Sequence, residues 1–148
     1  VCLDACFLIG LYDERDQHYA RSQVLFAEIF DAPARNTAVI VWPALYETVS
    51  TRLVRHQGRM ARMERDWRKM LARQGLVFLE DGPYRKEAFE LCLREADKPA
   101  VSYRPLSLTD RVLRSVLADT NARVDAIITF NIGDFADVCR RSNREIVS

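Results

Sequence analysis

Histidine is nearly missing from this sequence: His18 and His56 are the only two in 148 residues. Two isolated imidazoles do not make a histidine-ligated metal centre. Cysteine is sparse too, at Cys2, Cys6, Cys92 and Cys139. Cys2 and Cys6 lie close together, but no second Cys or His pair completes a zinc site. A chain that is 49% apolar can bury a core of its own. Its thiols are therefore not needed as a disulfide scaffold and read as reduced, mostly buried groups of a cytoplasmic protein. No apolar run approaches the ~20 residues that span a bilayer, so no membrane association is expected. No signal peptide, internal repeat or low-complexity segment is visible. An excess of one charge is also lacking, with 22 basic against 21 acidic residues, so bulk charge names no partner. The chain opens at Val1, without a methionine, on what reads as a strand, as a trimmed sequence would.

What is present suits one α/β domain over residues 1–148, or at most a tight pair of subdomains. Val1 to Leu3 is a short apolar run ending in Asp4 and reads as a buried strand. Phe7 to Tyr12 reads as a short helix, and Asp16 as the cap of a longer helix through Phe30. Thr37 to Trp42 is β-branched and continuous, which predicts a fully buried strand. Pro43 suits the first turn of a helix reaching about His56, where Gly58 interrupts. A further helix is predicted over Arg59 to Arg73, ended by Gly75. Leu76 to Leu79 reads as a third strand, and Pro83 opens a helix to about Ala96. Lys98 to Leu106 is a proline-containing loop, after which Ser107 or Thr109 caps a helix to about Asn121. Ala126 to Phe130 is another strand, Asp134 to about Arg141 a short helix, and Ile146 and Val147 a last edge strand. Strands alternating with helices predict a parallel sheet with helices on both faces, joined by right-handed crossovers.

That topology has a chemical consequence. Each strand points to the carboxyl edge of the sheet, and each crossover helix starts there. Asp4 ends the first strand. Glu47 lies in the first turns of the helix after the second. Asp110 begins the helix that precedes the Ala126 strand, and Asp134 follows that strand across a short turn. Four acids distant in sequence are thus expected on the rim where open α/β sheets bind ligands. Converging carboxylates repel one another, and a hard divalent cation such as magnesium or manganese relieves that cost. A carboxylate cage without histidine suits phosphodiester hydrolysis. Each acid also has a plainer reading: Asp4 and Asp134 as helix caps, Asp110 as a first-turn acid favoured by the helix dipole, Glu47 as a surface glutamate.

At these residues the sequence resembles the PIN-domain nucleases, the family that includes VapC-type toxins of toxin–antitoxin pairs. The opening "VCLDACFLIGLYDERDQHYARSQ" is similar to the family's start. The segments "VWPALYETVS" and "LSLTDRVLRSVLA" resemble those carrying the second and third acids, here Glu47 and Asp110. The segment "DAIITFNIGDF" resembles the fourth, with Thr129, Asn131, Asp134 and Phe135 in a T-x-N-x-x-D-F pattern. The resemblance covers nearly the whole chain, in order. It implies a three-layer α/β/α sandwich with strand order 3-2-1-4-5 and a magnesium- or manganese-dependent ribonuclease. It implies that Asp4, Glu47, Asp110 and Asp134 ligate the metal directly or through water, with Thr129 and Asn131 as polar support. It also implies an RNA substrate, an antitoxin partner and a homodimer. Cys6 stands where the family often has Ser, Thr or Asn, a departure that bears on metal preference. Asp125 and Asp137 compete for the fourth acid's role and rank below Asp134.

Between Arg52 and Arg73 eight basic residues face two acids, a formal balance of +6. Arg52, Arg55, Arg59 and Arg62 recur at helical spacing and can form a stripe that holds RNA phosphates, or simply a solvated helix face. Met60, Met63, Trp67 and Met70 recur on a different face, as core or as a partner surface. His18 and Trp42 read as packing residues. The alternative to an enzyme is a catalytically inactive PIN-like module that binds RNA or protein. Two other phosphotransfer folds fit less well. A receiver domain wants a late Lys, which is missing after the Ala126 strand. A haloacid-dehalogenase-like phosphatase wants an Asp where Cys6 stands.

Overall fold

The computed structural model describes residues 1–31, 36–95 and 105–148. Five parallel strands form one sheet: β1 (Cys2–Leu3), β2 (Ala38–Val41), β3 (Leu76–Leu79), β4 (Ala126–Ile128) and β5 (Glu145–Val147), in the order β3-β2-β1-β4-β5. Seven α-helices are present among the described residues: α1 (Ala5–Tyr12), α2 (Tyr19–Phe30), α3 (Trp42–Val49), α4 (Gln57–Ala72), α5 (Gly82–Glu95), α6 (Leu108–Ala118) and α7 (Ile132–Ser142). The three central strands are short and apolar because both of their faces are covered.

Successive strand residues face opposite sides of a sheet, and the chain uses this to fill two cores. Leu3 and Ile128 join Phe7, Leu8, Leu11, Leu25, Phe30 and Met63 on one face, under α1, α2 and α4. Cys2 and Ile127 join Ala88, Val112, Leu113, Phe135 and Val138 on the other, under α5, α6 and α7. The result is a three-layer α/β/α arrangement. α3 packs against α1, α6 and β2 at the carboxyl edge. All four cysteines are free thiols. Among the described residues no helix is long and apolar enough to cross a membrane.

Several boundaries differ from the sequence-based expectation, each for a local reason. Asp16 does not cap α2 directly. Its carboxylate accepts the His18 N–H at 2.9 Å and its carbonyl accepts the Tyr19 N–H, making a turn that precedes the helix. The helix after Pro43 ends at Val49, and a separate 3₁₀ turn covers Arg52–Arg55, its start capped by the Thr51 hydroxyl. Gly58 consequently lies inside the first turn of α4 instead of interrupting a helix. At the far end of α4 the left-handed residue is Gln74, with φ 56°, while Gly75 donates its N–H to the Met70 carbonyl. Most of the Lys98–Leu106 loop, and Ala96, lie outside the described residues.

Candidate functional site

β1 delivers Asp4 to the carboxyl edge, where its N–H continues the sheet by bonding the Ile128 carbonyl at 3.1 Å. Asp4 caps α1, with Oδ1 accepting the Ala5 N–H at 2.7 Å. The other oxygen, Oδ2, accepts the Thr129 hydroxyl at 2.7 Å and the Cys6 thiol at 3.0 Å. The loop leaving β4 locks these donors in turn: the Asn131 N–H donates to Thr129 Oγ1 at 2.9 Å and the Phe130 N–H to Cys6 Sγ at 3.3 Å. The helix-cap reading of Asp4 and its place in the rim are therefore both true of one side chain. It is only 3% exposed. Burial pushes its carboxyl above the ordinary range, further than the bonds from Cys6 and Thr129 draw it down, and the charge of Asp110 adds to the rise. Burial and the Asp4 charge push the Cys6 thiol up to about 12, so it stays protonated and donates.

Glu47 projects from α3 on the same rim. Partial burial of its carboxyl raises its pKa. The Thr109 hydroxyl opposes that rise, and the charges of Asp4 and Asp110 add to it. Asp110 occupies the third position of α6 in a reciprocal capping box. Its N–H donates to Ser107 Oγ at 3.0 Å, and its Oδ2 accepts the Ser107 N–H at 2.9 Å and hydroxyl at 2.7 Å. Of the two caps offered by the sequence, Ser107 is the one used, and Thr109 is left facing Glu47. Asp4, Glu47 and Asp110 thus share one electrostatic neighbourhood.

Asp134 is the third residue of α7, whose N-cap is Asn131, and is 5% exposed. Its carbonyl accepts a hydrogen bond from Arg114, and its charge attracts that guanidinium. The two competing acids are engaged elsewhere. Asp125 precedes β4 at the amino edge, 4.0 Å from Arg144. Asp137 is gripped by both Nη atoms of Arg114, at 2.6 and 2.7 Å, and by Arg141 at 3.0 Å.

The donor set fits a hard divalent cation. Its ligating atoms are carboxylate oxygens, one carboxylate is buried with its charge disfavoured, and the charges of Asp4 and Asp110 add to the rise at Glu47. Among the described residues, however, no three ligand side chains already stand close enough to share an ion.

Three of the four stripe arginines are engaged within the protein. Arg52 and Arg59, the latter at 2.9 Å, both pair with Asp13, which is fully buried at the end of α1. Arg62 donates to the Tyr19 hydroxyl at 2.8 Å and to Gln23. Arg55 is exposed. The sequence reading missed Asp13, whose guanidinium partners lie 39 and more residues away, and Arg114, whose one available signal was its position one helical turn after Asp110. Met63 and Met70 are buried and Met60 and Trp67 pack on the same core. His18 stacks on Phe130 with centroids 4.0 Å apart. No family model, curated protein or solved structure significantly matches the chain.

Proposed function

We propose that this protein is a metal-dependent ribonuclease of the PIN type that hydrolyses RNA phosphodiester bonds, with Asp4, Glu47, Asp110 and Asp134 as ligands for Mg2+ or Mn2+. The observation that carries the reading is Asp4, a buried carboxylate fixed by Thr129, Cys6 and Ala5 and held above its ordinary pKa beside two further acids. Burial disfavours the charge of that carboxylate, and a cation would offset the cost. The strand order is consistent with a PIN-like sheet. A bound divalent ion would supply polarisation of a phosphate oxygen and a lower pKa for a coordinated water.

The chain's own groups have distinct parts. Asp4 is the rigid ligand, since both of its oxygens are oriented by donors. Glu47, on an exposed residue and with a raised pKa, is suited to take the proton of the attacking water. In-line attack leaves a 5′-phosphate and a 3′-hydroxyl. As the toxin of a type II pair, the protein would meet an antitoxin helix or a second copy at the shallow apolar groove of Met60, Met63, Trp67 and Leu71 on α4.

A second reading, an inactive PIN-like module that binds RNA or protein, draws on the spacing of the acids, too wide among the described residues for three to share an ion as they stand. One assay separates the two. The purified protein is incubated with end-labelled RNA and millimolar manganese. The ribonuclease reading expects cleavage that is lost in chelator and lost, to background, in Asp4→Asn and Asp110→Asn. Full activity in either variant removes the acid assignment; saturable manganese binding without cleavage favours the inactive module.

A further inference from the structure

β3 is an outer strand of the sheet, and its sequence, Leu76-Val77-Phe78-Leu79, holds no charged residue and no proline. Edge strands are usually guarded by such residues, because an open edge is a template for another strand. The other outer strand, β5, opens on Glu145. Val77 is 45% exposed. The phase of the ladder fixes which main-chain groups look outward. The Ala38 N–H donates to the Gly75 carbonyl at 2.9 Å, and Ala38 lies opposite Leu76. In a parallel pair alternate residues turn to the neighbour. Gly75, Val77 and Leu79 therefore face β2, and the N–H and C=O groups of Leu76 and Phe78 face away from it. Among the described residues no main-chain group meets them there.

We propose that β3 is the docking edge for a second copy of this chain, paired antiparallel about a two-fold axis at Val77. In that register Leu76 of each copy exchanges main-chain bonds with the partner's Phe78, and the two Val77 side chains meet in the close, non-hydrogen-bonded position. Charge selects the direction. The segment is basic before the strand, at Arg73, and acidic after it, at Glu80 and Asp81. Antiparallel pairing sets each basic end against the partner's acidic end, whereas parallel pairing would set like against like. Apolar surface continues the interface beside the strand. The Trp67 ring packs on Phe78 with centroids 5.6 Å apart, and Trp67 lines the α4 groove together with the exposed Leu71. Pairing one edge with itself is isologous and stops at two copies, while β3 on β5 would run on as a filament. The inference stands apart from the ribonuclease reading, and its test needs neither RNA nor metal.

The test is sedimentation equilibrium of the unaltered protein and of Val77→Lys, each shown folded by circular dichroism. The unaltered protein is a dimer. Val77→Lys sets two ammonium groups against each other on the axis and weakens association roughly 100-fold or more. Val77→Cys reports the register independently. Opposed residues at such a position have Cα atoms about 4.5 Å apart, within reach of a disulfide. Under mild oxidation by copper–phenanthroline this variant gives a cross-linked dimer on a non-reducing gel. Val24→Cys, similarly exposed but on α2, does not. A monomer at every concentration overturns the proposal. So does a dimer that Val77→Lys leaves unchanged, or cross-linking of Val77→Cys no faster than that of Val24→Cys. None of these results touches the ribonuclease reading.

Discussion

Asp4 and Asp13 stand at opposite ends of α1 and are both buried, at 3% and 0% exposure. Their carboxyls move in opposite directions. Asp4 is raised by burial. For Asp13 burial also acts upward, but the Arg52 bond, the Arg15 N–H and the Arg59 charge outweigh it and hold the carboxyl below its ordinary value. The helix dipole favours the reverse outcome, because it stabilises an anion at the N-terminus, where Asp4 sits, and disfavours one at the C-terminus. That effect is worth about 0.3–1 kcal/mol, against several kcal/mol for an unmatched buried charge. What decides is the partner. Asp13 has two guanidinium groups, whereas Asp4 has neutral donors. One end of the helix is a finished ion pair; the other is built like half of one.

The largest effect that would break this comparison lies at the finished end. Asp13→Asn leaves Arg59, whose side chain is 12% exposed, without its carboxylate. Losing one member of such a buried pair costs about 3–5 kcal/mol, read from urea denaturation. A loss of under 1 kcal/mol would show that the two arginines find solvent easily and that Asp13 is no anchor.

At the other end the sign reverses. Without added metal at neutral pH, Asp4→Asn removes a disfavoured charge while keeping an oxygen for the Ala5 N–H. The variant gains about 1 kcal/mol, seen as a rise of roughly 2–4 °C in Tm. Manganese then raises the Tm of the unaltered protein and not that of the variant, because only a ligand of the folded state shifts the equilibrium. A lower Tm for Asp4→Asn would mean that Asp4 is structural.

The smallest effect is a difference in pH slope. A depressed carboxyl contributes stability that is present above its unfolded pKa of about 3.9 and is lost as pH falls toward the folded value. Asp13 therefore steepens the loss of stability below about pH 4. A raised carboxyl does the opposite: the folded state holds its proton longer, so stability declines as pH climbs through the folded pKa. Asp4 makes that contribution above about pH 4. Thermal melts across this range, compared with those of Asp13→Asn and Asp4→Asn, should show the two slopes disappear separately. Parallel curves would erase the distinction.

The fold was readable because its signals are local. The continuous apolar runs before Asp4, around Ile40 and before Thr129 could only be covered strands, and the alternation with helices left few parallel arrangements. The end of α4 was legible to within a residue, at Arg73 against Ala72, but its left-handed residue is Gln74, while Gly75 closes the helix as a donor. The rim positions of the four acids followed from topology alone. The raised carboxyl of Asp4 did not, because it depends on burial and on Thr129 and Cys6, which meet across 123 residues of chain. The arginine stripe was equally opaque: its spacing was visible, but the Asp13 that absorbs it sits on another helix.

The engagement of Arg52, Arg59 and Arg62 within the protein also bears on how any RNA binding would respond to salt. Four free arginines laid along a single-stranded RNA would displace roughly three condensed counterions, a slope near −3 in log affinity against log salt. With Arg52, Arg59 and Arg62 engaged by Asp13, Tyr19 and Gln23 and Arg55 left exposed, the same stripe would contribute a slope of about −0.7 if it met RNA. Any grip on RNA from this stripe would then respond only weakly to ionic strength.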